Sequence, residues 1–385
     1  MINSTSKQNP FDKHMKKIFN KVYLANVGNR LRELENPNII DCKRWIWELI
    51  QNAKDSISGD KNKKGVDIEI NIENNIYKFI HNGSPFTMDT LTALLYKYSE
   101  GKTNNSESTG RFGTGFLTTH SLSKIVKITS DVIEDEGNTI KGFSVTMFRE
   151  GEDKELLDGL KKTENSFETF SSPLGWTTYE YNAKTKRNKE AGQLGIQNFK
   201  ENICLVMLFC PEINSIKLDD NGKIFTIKRD NEIINDKYNT FQKISFQVKD
   251  NNETFKRIFL YYKIEEKNKE LSEKFEKDRN LRLSCAIEID ENNNIIINES
   301  QPSLFCSLPL VGSEKHKLPF YINSPDFEPD SERKALLLDG NENDEKTGKI
   351  TDVGINKMIF LRVIEIYKYY LDYINKMEKL KRDIF

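Results

Sequence analysis

Two short segments, residues 45–55 and 110–116, constrain the fold of this 385-residue chain more than any other feature. The first contains no proline or glycine and is predicted to be helical, so that Glu48, Asn52 and Asp55 share one helix face. Apolar residues cover much of the rest of that helix, which predicts burial on both sides. A buried polar group without a partner costs roughly 1–3 kcal/mol, and a metal-bound phosphate would be such a partner. An ordinary amphipathic helix with its polar side in water is the alternative.

The second segment is rich in glycine. Gly110, Gly113 and Gly115 let the backbone approach an anion closely and point successive amides at it. A helix predicted over residues 116–123 would direct its positive N-terminal end at the same place. Both features predict an anion site.

Two other phosphate-binding motifs are excluded by their context. A dinucleotide-binding fingerprint needs a strand directly before the glycines, but residues 99–109 read as a polar, breaker-rich loop. A P-loop needs a glycine five residues before its Gly-Lys-Ser/Thr, and the Gly-Lys-Thr at residues 101–103 has none.

The order of three motifs resembles one known fold. Glu-x-x-x-Asn-Ala-x-Asp at residues 48–55, His-Asn-Gly-Ser-Pro-Phe at 81–86 and Gly-Arg-Phe-Gly-Thr-Gly-Phe at 110–116 are similar to the motifs of the Bergerat ATP-binding fold. That superfamily, called GHKL, contains gyrase, the heat-shock chaperones of the ninety-kilodalton class, histidine kinases and MutL. Within it the chain resembles the heat-shock-chaperone-like and sacsin-like branch. The resemblance extends well over residues 20–230 and more loosely over 230–385.

The resemblance implies an α+β protein. Its first part would be a Bergerat ATP-binding α/β sandwich, with a mixed, mostly antiparallel sheet and helices on one face. A second, transducer-like α/β domain would follow. The implied domains are residues 1–230, with a lid at about 99–115, and residues 231–385, ending in a long amphipathic helix. Alternating apolar residues at 66–72 and 76–80 predict a β-hairpin that agrees with this fold.

The resemblance also assigns roles to single residues. Glu48 matches the general base of the family, Asn52 its Mg²⁺ ligand, and Gly83 the sharp turn beneath the adenine. Either Thr177 or Thr178 matches the threonine that holds a water bound to the adenine. The residues assigned to ATP are Asn52, Asp55, His81, Asn82, Gly83, Lys102, Gly110, Arg111, Phe112, Gly113, Thr114, Gly115, Phe116, Thr177 and Thr178.

His81 departs from the family pattern. Most relatives carry Asp there, which accepts a hydrogen bond from the adenine amino group. A neutral imidazole accepts through only one nitrogen, and a neighbour must set its tautomer. The preference for ATP over GTP is therefore open, and a satisfied histidine at a strand end is the other interpretation.

Two basic positions complete the predicted site. Lys102 would reach a phosphate from the lid, or else is a solvated lysine in a polar loop. Arg333, with Lys334 as the reserve, resembles the basic residue that the second domain contributes to the γ-phosphate. Such a cation would neutralise charge on the transferred phosphoryl group. A surface pair of basic side chains is the alternative.

The implied function is Mg²⁺-dependent binding and hydrolysis of ATP. Lid closure would couple turnover to a conformational change that acts on a macromolecular partner or client, as in chaperone-like or defence-system ATPases. The alternative is a nucleotide-binding sensor or scaffold with little or no hydrolysis. The His81 departure favours the sensor, and retention of Glu48 favours the ATPase. A histidine kinase is disfavoured because only His14 precedes the site.

Composition limits the partners. The chain has 58 Lys and Arg against 59 Asp and Glu, so its net charge does not indicate nucleic acid or an anionic membrane as a partner. No apolar run reaches the roughly 18 residues that span a bilayer, and the first ten residues lack a signal core, so a cytoplasmic protein is expected. The final amphipathic helix leaves a homodimer open. The five scattered cysteines make no metal-binding motif and are expected to be reduced core residues.

Overall fold

The computed structural model of the chain describes residues 9–96, 115–134, 139–230, 234–235, 241–330 and 335–383. The chain divides into two compact units, the first Met1–Gln197 with Asp219–Gly222 and the second Asn198–Leu218 with Lys223–Phe385. The division passes through one helix and one strand. The sequence-based domain boundary at residue 230 stays a prediction.

Eight α-helices lie in the described part of the chain. They are α1 (Pro10–Tyr23), α2 (Asn29–Glu33), α3 (Ile39–Ser56), α4 (Met88–Tyr96), α5 (Asp153–Asn165), α6 (Lys186–Phe209), α7 (Lys269–Phe275) and α8 (Asp352–Asp383). A π-helical turn, Leu24–Gly28, joins α1 to α2, and two 3₁₀ helices span Gly115–Ser121 and Ser313–His316.

The first unit contains a sheet in the order β1–β2–β7–β4–β5–β6, with β3 beside β4. Only the β3–β4 pair among these described strands is parallel. The strands are β1 (Val66–Glu73), β2 (Ile76–His81), β3 (Phe86–Thr87), β4 (Ile125–Ile133), β5 (Ile140–Phe148), β6 (Glu168–Thr169) and β7 (Thr177–Asn182). Strand β8 (Ile213–Asp220) follows α6 and crosses the division between the units.

The β1–β2 hairpin forms because its sequence signals are local. Alternate residues of β1 are buried, as the period of a half-buried strand requires. Asn74 and Asn75 both have positive φ, 51° and 65°, which asparagine tolerates better than most residues and which two-residue hairpin turns need. The resulting register pairs Ile68 with His81, so that His81 stands at the end of β2.

Helix α3 begins where Asn38 caps it, since the Asn38 side chain accepts a hydrogen bond from the Asp41 amide at 2.9 Å. Its last residue, Ser56, bonds back to the carbonyl of Ala53 at 2.7 Å. Both its apolar and several of its polar side chains are buried. Helix α3 therefore lies inside the first unit.

The second unit contains a sheet in the order β9–β11–β12–β13–β17–β15–β16, with the short strands β10 on β11 and β14 on β13. The β15–β17 pair is parallel and the others are antiparallel. The strands are β9 (Lys223–Arg229), β10 (Ile234–Asn235), β11 (Gln242–Asp250), β12 (Glu253–Lys267), β13 (Asn280–Ile289), β14 (Ile295–Ile296), β15 (Leu304–Cys306), β16 (Leu308–Pro309) and β17 (Tyr321–Asn323). The apolar stripe of α8, which includes Ile355, Ile359 and Tyr370, packs into the core on this sheet.

The structure confirms an α+β protein whose mixed sheet is mostly antiparallel. The finer prediction, a Bergerat sandwich followed by a transducer-like domain, stays a prediction. In the described part of the chain no helix is both long and apolar enough to cross a membrane. All five cysteines are buried free thiols, as expected for reduced core residues.

Candidate functional site

Glu48 is buried in α3 and is paired with a cation. Its Oε1 lies 2.6 Å from Nη2 of Arg44, one helical turn earlier, and both side chains are less than a tenth exposed. The polar side of α3 is therefore not turned to solvent at this point. A carboxylate and a guanidinium taken out of water together are stable only as a well-formed pair.

The two other polar residues of the predicted stripe differ from Glu48. The Asn52 side chain is half-buried and makes no hydrogen bond with the residues that the structure describes. Its amide oxygen is therefore available to a ligand. Asp55 has a buried side chain whose Oδ1 lies 3.2 Å from Nζ of Lys54.

Gly115 lies directly against the Glu48 carboxylate. A β-carbon built on Gly115 would stand 1.9 Å from Oε2 of Glu48 and 2.8 Å from its carboxyl carbon. A side chain at residue 115 would force the end of the Glu48 side chain to move, so glycine here permits a close approach and is not needed for an unusual backbone angle. The last glycine of the third motif thus contacts the acid of the first.

The end of β2 and the turn after it are tightly bound. Asn82 accepts from the Asp67 amide at 2.7 Å, and its side-chain amide donates to the Asp67 carboxylate at 2.8 Å. The ammonium of Lys63 donates to the carbonyls of Asn82 and Gly83. A β-carbon on Gly83 would lie 2.0 Å from Oγ of Ser56, at the end of α3. The Asn82 side chain, assigned to ATP by the resemblance, is thus engaged within the protein.

His81 is buried, and its tautomer is fixed by this turn. Its Nδ1 accepts a hydrogen bond from the Gly83 amide at 3.1 Å. Burial, with the nearby Lys63 charge, lowers the pKa of His81 to about 3, so the ring is neutral. The proton of a neutral imidazole whose Nδ1 accepts is on Nε2. That buried Nε2 has no hydrogen-bond partner among the residues described.

The structure separates the two candidate threonines. Thr177 is the direct antiparallel partner of His81 in the β2–β7 ladder, and its side chain is buried. Its Oγ1 lies 2.6 Å from Oγ of Ser130 on β4. Thr178, the next residue, is only half-buried and lies on the opposite face of the strand. Thr177 is the one that shares a face with His81.

Aromatic contacts link the three motifs. The ring of His81 stacks on Tyr179, with centroids 6.2 Å apart and planes 24° apart. Tyr179 in turn lies 5.7 Å from the ring of Phe116, which follows Gly115. The first motif touches the third through Glu48 and Gly115, and the third reaches the second through these rings.

Arg149 is a buried residue near the site that no sequence motif indicated. Its Nη2 donates to the carbonyls of Leu94 and Leu95 in the last turn of α4, at 3.1 and 2.9 Å. Its Nη1 donates to Nε2 of His120 at 2.9 Å, and Nδ1 of His120 donates to the Ser123 carbonyl. Burial lowers the pKa of Arg149, and no carboxylate pairs with it among the described residues. The carbonyls at the C-terminus of a helix carry partial negative charge, which here offsets the positive charge of the buried Arg149 guanidinium.

Several predicted site residues lie outside the described residues. They are Lys102, Gly110, Arg111, Phe112, Gly113, Thr114, Arg333 and Lys334. Their predicted roles stay predictions. The helix predicted after the glycines is present as the short 3₁₀ helix Gly115–Ser121.

The described residues contain no group of three or more His, Cys, Asp or Glu side chains that would hold a metal ion. A site of one or two protein oxygens is a different case, because Mg²⁺ commonly completes its shell with phosphate and water, and the amide oxygen of Asn52 could serve such a site. Nε2 of His81, which has no hydrogen-bond partner among the described residues, is a second polar group open to a ligand.

The chain matches no model of a protein family and no curated protein.

Proposed function

We propose that the first unit binds a purine nucleoside triphosphate with Mg²⁺ and hydrolyses it. ATP is the nucleotide that the Bergerat resemblance implies. Turnover would drive a conformational change that acts on a macromolecular partner. The observation that carries this proposal is the contact between the Glu48 carboxylate and Gly115, because it joins the candidate base to the glycine segment that would hold phosphates.

Each described residue has a role that its surroundings support. Oε1 of Glu48 is held by Arg44, which leaves Oε2 to accept a proton from an attacking water. Asn52 offers an uncommitted amide oxygen for Mg²⁺. A bound nucleotide would supply the phosphoanhydride bond that water cleaves with release of phosphate, and Mg²⁺ would neutralise charge on the phosphates.

His81 and Thr177 would meet the base. They are paired across two strands, and both are buried. Tyr179 offers an aromatic surface beside them. This cluster adjoins the Glu48 region through Phe116.

A second candidate function is nucleotide sensing without useful hydrolysis. It is favoured by the Arg44–Glu48 ion pair, because that contact ties one carboxylate oxygen to a guanidinium and restricts how the Glu48 side chain can turn toward a water. In that case nucleotide binding itself would be the signal.

The decisive experiment compares the parent with Glu48→Gln and with Asp158→Ala as a matched control. The glutamine keeps the shape of Glu48 and an oxygen for Arg44 but is not a base. Asp158 is an exposed acid on α5, in the same unit. Hydrolysis of Mg²⁺-ATP and Mg²⁺-GTP is measured beside nucleotide binding by calorimetry.

We expect Glu48→Gln to lose hydrolysis by about 10²–10⁴-fold while it still binds nucleotide, and Asp158→Ala to match the parent. A parent that binds nucleotide without turnover would make the sensor the better proposal. A parent that binds no nucleoside triphosphate would overturn both.

A further inference from the structure

We propose that the nucleotide site prefers a 6-oxopurine, guanine or hypoxanthine, over adenine, because His81 presents a hydrogen-bond donor to the base. This inference rests on the proposed function and specifies its substrate. It is carried by the tautomer of one buried side chain, which follows from the hydrogen bond that its Nδ1 accepts.

The neutral ring of His81 carries its proton on Nε2 and not on Nδ1. The Gly83 amide can only donate, and it lies 3.1 Å from Nδ1 of His81. Nδ1 is therefore an acceptor without a proton, and the neutral ring carries its hydrogen on Nε2. Lys63 reinforces this tautomer. Its ammonium donates to the carbonyls of Asn82 and Gly83, and its positive charge near the ring disfavours a second proton on the imidazole.

The Nε2–H group of His81 lacks a hydrogen-bond acceptor among the described residues. Its nitrogen is fully buried, and no group in the described part of the protein accepts its hydrogen. Buried polar groups are almost always paired, and an unpaired one is a candidate for a ligand contact. The rings of Phe79 and Tyr179 flank the imidazole, each with its centroid 6.2 Å from that of His81, and neither side chain accepts a hydrogen bond from Nε2.

Adenine and the 6-oxopurines differ in the hydrogen-bonding group at position 6. Adenine carries an amino group at position 6, which donates, and a 6-oxopurine carries a carbonyl there, which accepts. An Asp at residue 81 would match the amino group. With position 6 of the base facing residue 81, as the Bergerat resemblance implies, the Nε2–H of His81 opposes an amino group and matches a carbonyl. A site built to pair one polar group rejects a base that leaves the group unpaired.

Thr177 does not reverse this preference. Its hydroxyl, like that of Ser130 at 2.6 Å, both donates and accepts, so it adapts to either base. The selective group in this cluster is the one with a fixed polarity, and that is His81.

The test measures equilibrium binding of GTP, ITP and ATP, each with Mg²⁺, by calorimetry, and needs no turnover. ITP shares the 6-carbonyl of GTP but lacks its 2-amino group, so it isolates position 6. We expect GTP and ITP to bind with similar affinity, and both about ten-fold or more tighter than ATP.

Two variants make the assignment specific. His81→Asp should reverse the order in favour of ATP, and His81→Gln, whose amide both donates and accepts, should bind the three nucleotides within a few-fold of each other. Thermal melts of both variants show whether they fold. If they do not, the order of GTP, ITP and ATP affinities measured for the parent still tests the proposal.

The outcomes separate the two proposals. Equal binding of ATP and GTP, or tighter binding of ATP, would overturn the base preference and leave the proposed function intact. Tight binding of GTP with weak binding of ITP would place the selectivity at the 2-amino group of guanine and overturn the role of His81. Absence of binding to all three would overturn the proposed function and this inference with it.

Discussion

The carboxylate of Glu48 occupies the space that a β-carbon would take on Gly115. The distance from Oε2 to that β-carbon position is 1.9 Å, well inside any contact that atoms tolerate. A methyl group at residue 115 would therefore force the Glu48 carboxylate to move, and we expect the two positions to be energetically coupled.

Gly115→Ala should therefore destabilise the parent and abolish nucleotide hydrolysis, because the added methyl displaces Glu48 from its place beside Arg44. In a Glu48→Ala background the same change should cost much less. Urea unfolding of the four proteins of this double-mutant cycle measures the coupling, which we expect to be about 1–3 kcal/mol. Gly28→Ala is the matched control, since its β-carbon would meet atoms only at 3.7 Å. Additive effects of the two substitutions would contradict the coupling.

Thr177 and Thr178 provide a second prediction. Thr177→Val keeps the shape of the side chain but removes the hydroxyl that lies beside Ser130 and shares a face with His81. We expect nucleotide affinity to fall by about five- to ten-fold, the equivalent of one net hydrogen bond. Thr178→Val, on the other face of β7, should leave affinity unchanged. The reverse ranking in a calorimetric titration would assign the site to the other threonine.

Acid should weaken the fold before the carboxylates titrate. Burial lowers the pKa of both His81 and His120 to about 3, whereas in the unfolded chain a histidine binds its proton near pH 6.5. Between these values the unfolded state holds more protons, so stability present above pH 6.5 is lost as pH falls, down to about pH 3. The slope approaches about 1.4 kcal/mol per pH unit for each histidine.

The measurement is the free energy of unfolding in urea between pH 6 and pH 5. His120→Asn should reduce the slope by about one proton. An unchanged slope in His120→Asn would show that this imidazole is protonated in the folded protein.

The second unit contains a buried ion pair whose loss should be severe. Arg257 donates through Nε and Nη2 to both carboxylate oxygens of Glu288, and the two side chains are 14% and 8% exposed. Burial disfavours the Arg257 charge, but the Glu288 carboxylate outweighs it and the pKa of Arg257 is raised. Arg257 also donates to the Glu201 carbonyl at 3.1 Å.

Arg257→Met should cost about 3–5 kcal/mol of stability in urea unfolding, because it leaves the Glu288 charge buried and unpaired. Adding Glu288→Leu should recover most of that loss. The exposed pair of Asp158 and Lys161 is the control, and Lys161→Ala should change stability by less than about 1 kcal/mol. A double variant no more stable than Arg257→Met alone would refute the explanation.

The parts of the fold that could be predicted are those with local signals. The β1–β2 hairpin follows from alternation and an Asn-Asn turn, and the apolar stripe of α8 follows from its helical spacing. Helix α6 begins earlier than its apolar pattern, which starts near residue 194. Reciprocal bonds between Thr185 and Asn188 cap its polar first turns instead.

The remaining features of the site depend on packing and hydrogen bonds that no sequence motif encodes. The helical motif predicts a role for Glu48, but only the packing shows that its carboxylate lies against Gly115 and that Arg44 is its partner. The tautomer of His81 depends on one backbone amide in the following turn. Arg149 belongs to no motif, and a single charged residue in a polar stretch does not predict full burial.

The Arg149 contacts bear on protein engineering. One guanidinium fastens the last turn of α4 and His120, which stand on either side of residues 97–114, and none of these bonds is supplied by that segment itself. Any engineered version of the chain therefore has to keep Arg149, because its loss would leave Nε2 of His120 and two carbonyls at the end of α4 without their donor.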